Sequence, residues 1–305
     1  MTDITIRGIK EKSAVALGFF DGLHLGHIEV IQRALAKRNL CSVIFTFNDK
    51  TMLPKFTERQ NIISYDLKIE LLAKIGADYI FAPDFADLRD LSPEEFVEEI
   101  LVKRLNAQFV ACGYDFRFAK GGSAGAEDLT RICGEKGIEV SVVPAVTVEG
   151  EPVSSTVIRG LIRNGDVKRA NELLGYELTY ILEVEQGKHN GRKMGFPTIN
   201  QVIPDGMAVP RFGVYKSWTQ IKGHSYPSIT NIGVKPTIAL DEGEERIPLM
   251  ETHIIGFSGD LYGLKARVSL REYMREERRF DSMEELAKQL EKDKQAACSL
   301  SDRRR

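Results

Sequence analysis

A chain of 305 residues exceeds what one hydrophobic core usually organises, so two domains are expected. With 43% hydrophobic and 28% charged residues and a net charge of −2, the composition is that of a soluble globular protein and gives bulk electrostatics no hold on nucleic acid or an anionic membrane. No apolar run approaches eighteen residues, the polar start MTDITIRGIKEKSA does not read as a signal peptide, and Cys41, Cys112, Cys133 and Cys298, without CxxC spacing, read as reduced thiols of a cytoplasmic protein.

The first half alternates short apolar runs with segments of helical spacing. SAVALGFF, CSVIFTF, ADYIFAP, AQFVACGYDF and IEVSVVPAV read as strands; HIEVIQRALAKR, YDLKIELLAKIG, SPEEFVEEILVKRL and EDLTRICGEKG read as helices, the third opened by Ser92-Pro93-Glu94-Glu95. Crossovers of this length imply a parallel sheet covered by helices on both faces. SSTVIRGLIRNGDVKRANELLG predicts two helices, the first ended by Gly165 and the second capped by Asp166.

After Gly175 the rhythm changes. LTYILEVEQG, RFGVYKSWTQI, YPSITNIG, METHIIGF and LKARVSLREYM are β-rich runs separated by Gly, Pro and Asp, which predicts an antiparallel sheet or barrel. SMEELAKQLEKDKQAAC closes the chain as one amphipathic helix. The boundary falls near Tyr176 to Thr179, giving domains 1–177 and 178–305.

GFFDGLHLGH (Gly18 to His27) places three glycines and two histidines between a strand and a helix. A glycine-rich turn there lets phosphate oxygens approach backbone N–H groups at the positive end of the helix dipole. His24 and His27, three apart, face one ligand from a first helical turn and are able to donate to a phosphate; the same spacing suits a metal. The string resembles the GxFDGxHxGH signature of the nucleotidyltransferase superfamily, with Gly18, Phe20, Asp21, Gly22, His24, Gly26 and His27 in place. The resemblance implies ATP binding by these residues, with the histidines contacting the triphosphate and stabilising the transition state at the α-phosphorus. SSTVIR resembles the second superfamily signature, which assigns Ser154, Ser155, Thr156 and Arg159 to the same phosphates. GYDFRFAKGGSAG resembles the GxDFxFGxxxxG segment of prokaryotic FAD synthetases, so Gly113, Asp115 and Phe116 are implied in flavin binding; Ala119 stands where that family usually has glycine, and no His-Pro follows the TF of FTFNDK.

GKHNGRKMGFPTINQ (Gly187 to Gln201) is a glycine-studded basic loop leading into an extended segment. Thr198 and Asn200 share one face of a strand, and paired hard oxygens suit Mg²⁺. The stretch resembles the ATP-binding loop and PTAN motif of riboflavin kinases, with Ile199 replacing alanine. That resemblance assigns Gly187, Gly191, Lys193, Gly195, Pro197, Thr198 and Asn200 to ATP, and Thr198 and Asn200 to the metal. FGVY, TNIGVKPT, DLYG and REERRF recur in the family in this order, and METHIIGF matches its vEvHllDf strand with Gly256 in place of Asp. Glu251 thereby becomes the catalytic base, its alternation with Met250 and Thr252 putting it on the same face as His253, and Arg275 a flavin- or nucleotide-phosphate ligand.

The two motif sets cover nearly the whole chain, which resembles the bifunctional riboflavin kinase/FAD synthetase family. The resemblance implies a Rossmann-like nucleotidyltransferase domain and a β-barrel kinase domain, with riboflavin, FMN and ATP as substrates and Mg²⁺ as cofactor, and no nucleic-acid or membrane partner. The departures at Ala119 and after FTF leave one alternative, a monofunctional riboflavin kinase with a degenerate first half.

Overall fold

Ser13–Leu17 and Cys41–Phe45 have no polar face, and both become inner strands of a parallel sheet. The computed structural model describes residues 1–48, 60–186, 196–234, 247–278 and 280–298. By contact the chain divides into Met1–Arg59 with Tyr65–Val157, and Gln60–Ser64 with Ile158–Arg305.

The first unit holds strands β1 (Thr2–Asp3), β2 (Ser13–Leu17), β3 (Cys41–Phe45), β4 (Tyr79–Phe81), β5 (Ala107–Gly113), the hairpin β6 (Arg117–Phe118) and β7 (Ala124–Gly125), β8 (Glu139–Val143), and the hairpin β9 (Thr147–Val148) and β10 (Glu151–Pro152). Its helices are α1 (Leu25–Leu35), α2 (Tyr65–Ile75), α3 (Phe85–Leu88), α4 (Pro93–Glu95), which runs into a π-helix over Phe96–Arg104, and α5 (Ala126–Glu135). The main sheet has order β1-β4-β3-β2-β5-β8, and every pair in it is parallel. Val15, Leu17, Val43, Phe45, Val110 and Cys112 join the π-helix residues Phe96, Val97 and Leu101 and the α5 residues Leu129 and Ile132 in one core. The alternating Ala14, Ala16, Ile44 and Ala111 are buried on the other face, where α1 packs.

The order reverses between β2 and β5: β3 and β4 build outward from β2, and β8 from β5. Ligands of open α/β sheets bind at the carboxyl ends of the strands flanking such a switch point. Gly18–His27 follows β2, and Gly113 ends β5 with Asp115 and Phe116 just beyond it, so the topology brings the two sequence motifs to neighbouring strand ends.

The second unit contains α6 (Ser155–Asn164), which begins in the first unit, α7 (Val167–Leu174), strands β11 (Leu178–Glu183), β12 (Thr198–Val202), β13 (Gly213–Ile221), β14 (His224–Val234), β15 (Pro248–Ile254) and β16 (Lys265–Arg275), and α8 (Met283–Ala297). The strands pair antiparallel in the order β11-β16-β13-β14-β15-β12. The two ends meet: the Glu185 amide donates to the Asn200 carbonyl at 2.8 Å and the Gln201 side chain donates to the Leu182 carbonyl at 2.7 Å, so the sheet closes into a barrel. Buried hydroxyls pair across its strands, Ser217 with Thr230, Thr230 with Thr252 and Thr219 with Ser228, at 2.7–2.9 Å.

Helices α7 and α8 brace this barrel. Asn171 donates to the Leu270 carbonyl and accepts from the Leu178 amide, while Val167, Ala170, Leu173 and Leu174 are buried. Asp166 caps α7 and Gly175 ends it at φ +79°, as the sequence predicts. One expectation needs revision: residues 92–104 read as a single α-helix, but after the Ser92 capping box the ladder widens to i→i+5, as in Leu105 N–H to the Ile100 carbonyl. The apolar spacing of Phe96, Val97, Ile100 and Leu101 serves either winding, so the pattern does not separate them.

Candidate active sites

The turn from β2 into α1 is backbone held in sparsely populated conformations. Phe20, Gly22 and Leu23 have φ of +55°, +80° and +41°. Gly18 is required by close approach, since a Cβ there would lie 2.6 Å from the Phe20 ring. Phe20, only 1% exposed, meets the His27 ring edge to face at 5.3 Å, and the His24 and His27 rings stack at 3.6 Å. His24 is the N-cap of α1, its Nδ1 accepting from the His27 amide at 3.3 Å. The two imidazoles thus form one stacked unit on the positive end of an eleven-residue helix.

Ser155 Oγ donates to the Asp21 carbonyl at 2.9 Å, bringing the second signature to the first. Ser154 accepts from the Val157 amide at 3.3 Å and so caps α6, while Thr156 is exposed. Arg159, farther along α6, donates through Nε to the Gln60 carbonyl at 2.7 Å within the second unit. After β5, Asp115 is exposed and Phe116 half-buried, stacked on Phe118 at 5.8 Å. Ala119 takes φ +65° and ψ −177°, a region that suits glycine. Among the described residues no group of three or more His, Cys, Asp or Glu could hold a metal ion, so nothing there builds on the metal-like spacing of the histidines.

In the second unit, β12 pairs with β15 so that Thr198 lies opposite His253 and Asn200 opposite Glu251. On its other side Glu251 lies opposite Asn231 of β14. Met250, Thr252 and Ile254 are buried, which leaves Glu251 and His253 on the outer face. Thr198 and Asn200 line a cavity of about 410 Å³ with Pro197, Phe257, Asp260 and Tyr262. Desolvation raises the Glu251 pKa; a hydrogen bond from Asn231 opposes the rise, and the charge of Glu277 adds to it. Asn231 Nδ2 donates to Glu277 at 2.8 Å, and its Oδ1 is buried. Burial lowers the His253 pKa, against a hydrogen bond with the Pro197 carbonyl at 2.9 Å.

Arg275 is turned toward α8. Its Nε and Nη2 form a fork with the Asp293 carboxylate, Nη2 at 2.7 Å, and Nη1 donates to the Glu276 carbonyl. Gly187, Gly191, Lys193 and Gly195 of the basic loop lie outside the described residues. The sequence reading did not reach Asn231, Glu277, Asp293 or Lys68. Lys68 had a signal: it sits in the buried stripe of α2 with Leu67 and Leu72, where an apolar residue is expected.

The family model described as FAD synthetase matches residues 6–157, and the one described as riboflavin kinase matches residues 174–300. The class is therefore a two-domain transferase. Bifunctional riboflavin kinase/FMN adenylyltransferases of Listeria monocytogenes and Bacillus subtilis are each 32% identical, over 92% and 96% of this chain and 90% and 93% of the relative. That of Escherichia coli is 31% identical over 96% of both. A solved structure from Streptococcus pneumoniae, described as a macrolide-efflux protein, superposes with a TM-score of 0.84 at 31% identity over 97% of both chains. The chain belongs to the bifunctional riboflavin kinase/FMN adenylyltransferase family. Among the described residues, no helix is long and apolar enough to cross a membrane.

Proposed function

We propose that this chain makes FAD from riboflavin in two steps: transfer of the ATP γ-phosphoryl group to the riboflavin 5′-hydroxyl, giving FMN, and transfer of AMP from a second ATP to FMN, releasing pyrophosphate. Domains 1–177 and 178–305 divide the work, the second performing the first step. The observation that carries the kinase reading is the register of Asn200, which lines the cavity, opposite Glu251 on β15.

A primary hydroxyl is a poor nucleophile unless its proton has somewhere to go, and Glu251 takes it; a raised pKa brings that base nearer to working pH. Thr198 and Asn200 offer two hard oxygens on one strand face at the cavity wall, which fits Mg²⁺. When bound, Mg²⁺ neutralises phosphate charge. Pro197 shapes the start of that strand, and Gly187, Gly191, Lys193 and Gly195 hold the ATP phosphates. Arg275 serves flavin binding by fixing α8 through Asp293.

In the first domain, Gly18, Phe20, Asp21 and Gly22 shape the turn that receives ATP. His24 and His27 donate to oxygens of the α-phosphate as charge grows there, aided by the α1 N-terminus. Ser154, Ser155, Thr156 and Arg159 complete the phosphate contacts, and Gly113, Asp115 and Phe116 hold FMN. Both transfers are direct in-line displacements. The place of work is the cytoplasm, with small-molecule substrates and neither nucleic acid nor membrane as partner.

Incubation of the purified chain with riboflavin, ATP and Mg²⁺, followed by chromatography of the flavins, tests the reading. FMN followed by FAD is expected. FMN without FAD turns the assignment to the monofunctional kinase, and neither product refutes it altogether.

A further inference from the structure

Lys68 lies in the first turn of α2, and its residue surface is 0% exposed. An ammonium moved out of water costs several kcal/mol unless dipoles replace the lost solvation. Among the described residues three oxygens contribute: the Phe19 carbonyl, the Phe47 carbonyl and Thr46 Oγ1, each 3.4 Å from Nζ. Thr46 Oγ1 itself donates to the Phe19 carbonyl at 2.8 Å. The Phe19 ring lies 4.9 Å and the Tyr65 ring 5.4 Å from the ammonium.

These oxygens share a place in the fold. Phe19 stands just beyond β2, in the turn that carries the histidines, and Thr46 and Phe47 stand just beyond the adjacent β3. One buried cation therefore joins the roots of the two loops that leave neighbouring parallel strands. Phe20, the next residue after Phe19, is held at φ +55° and packs on the His27 ring.

We propose that Lys68 is a positioning residue for adenylyl transfer, fixing the Phe19 carbonyl so that Phe20 presents the His24–His27 pair in its working orientation. The proposal rests on reading the first domain as an adenylyltransferase. Orientation of transition-state donors weighs on kcat more than on ground-state binding. A lysine that merely fills space would instead change the folded fraction.

The test compares the full chain with its Lys68→Met variant, below the melting transition of both. Expected are a fall of at least tenfold in kcat for FAD formation, a KM for ATP within threefold, and riboflavin phosphorylation by the same molecule within twofold. Should Lys68→Met fail to fold its domain, Thr46→Val, which removes the hydroxyl between the ammonium and the Phe19 carbonyl at equal volume, is expected to lower the same kcat at least threefold. A kcat for FAD formation within twofold of the parent in the variant that folds, or a loss that merely tracks the unfolded fraction, overturns the proposal. A parent chain that makes no FAD overturns the adenylyltransferase reading and this proposal with it; a parent that makes FAD beside an unimpaired variant overturns the proposal alone.

Discussion

Asn231 stands between two carboxylates: its Nδ2 donates to Glu277 at 2.8 Å, and Glu251 is its register partner on β15. The Glu277 carboxylate, which only accepts, fixes which way this amide faces, because it would repel the amide oxygen. The proposed base therefore lies beside an amide engaged with a second carboxylate, whose negative charge crowds it.

A pH dependence follows from that crowding. Desolvation and Glu277 raise the Glu251 pKa, so FMN formation is retained above the raised value and lost as the pH falls through it. Glu277→Gln removes the like charge and is expected to move the acid limb of the kcat profile to lower pH. Glu251→Gln is expected to cut kcat by at least ~10²-fold, the low end for general-base catalysis. An acid limb that stays put in the first variant, or near-normal turnover in the second, contradicts the assignment.

Replacing His24 and His27 together by Ala is expected to abolish FAD formation and to leave FMN formation unchanged, because the stacked imidazoles belong to the first unit alone. Chromatography of both flavins from one reaction reads the two activities at once. Loss of both in a folded protein argues against separate sites.

Ala119 occupies a backbone conformation that disfavours any Cβ. Ala119→Gly relieves strain of roughly 1–3 kcal/mol and adds roughly 0.4–1 kcal/mol of unfolded-state entropy, for a net gain of about 1 kcal/mol. The first domain's melting temperature is expected to rise by about 2–4 °C. A variant that melts at or below the parent shows that the loop relaxes without cost.

Asn171 ties α7 to β11 and β16, and four α7 residues are buried there. A fragment of residues 158–305 is expected to be more stable than one of residues 178–305 by at least about 2 kcal/mol, the low end for deleting one buried leucine side chain. Urea unfolding of the two measures this directly; equal midpoints leave α7 without a bracing role.

Much of this was legible because the informative residues are local. Glycines, caps and alternation fix Gly18–His27, the α6–α7 corner and the outward face of Glu251 within a few positions of sequence. The edge strand β1 and the two small hairpins are two-residue pieces with no periodicity to read. Asn231 and Glu277 escaped for another reason: they are 46 residues apart, and only the barrel brings the amide to the carboxylate. The sequence resemblance makes Arg275 a flavin- or nucleotide-phosphate ligand, and only the helix beginning at Met283 supplies the Asp293 that engages it. Ala119 shows the same divide, since its letter is visible while its dihedral angle is not.

The seam of the barrel runs through Asn200, whose main chain receives the Glu185 amide while its side chain stands opposite the carboxylate of Glu251. Breathing at that junction would move Asn200 and the proposed proton acceptor Glu251 relative to each other. Deuterium uptake at the single amide of Glu185 thus becomes a spectroscopic gauge of how often the kinase is ready to work.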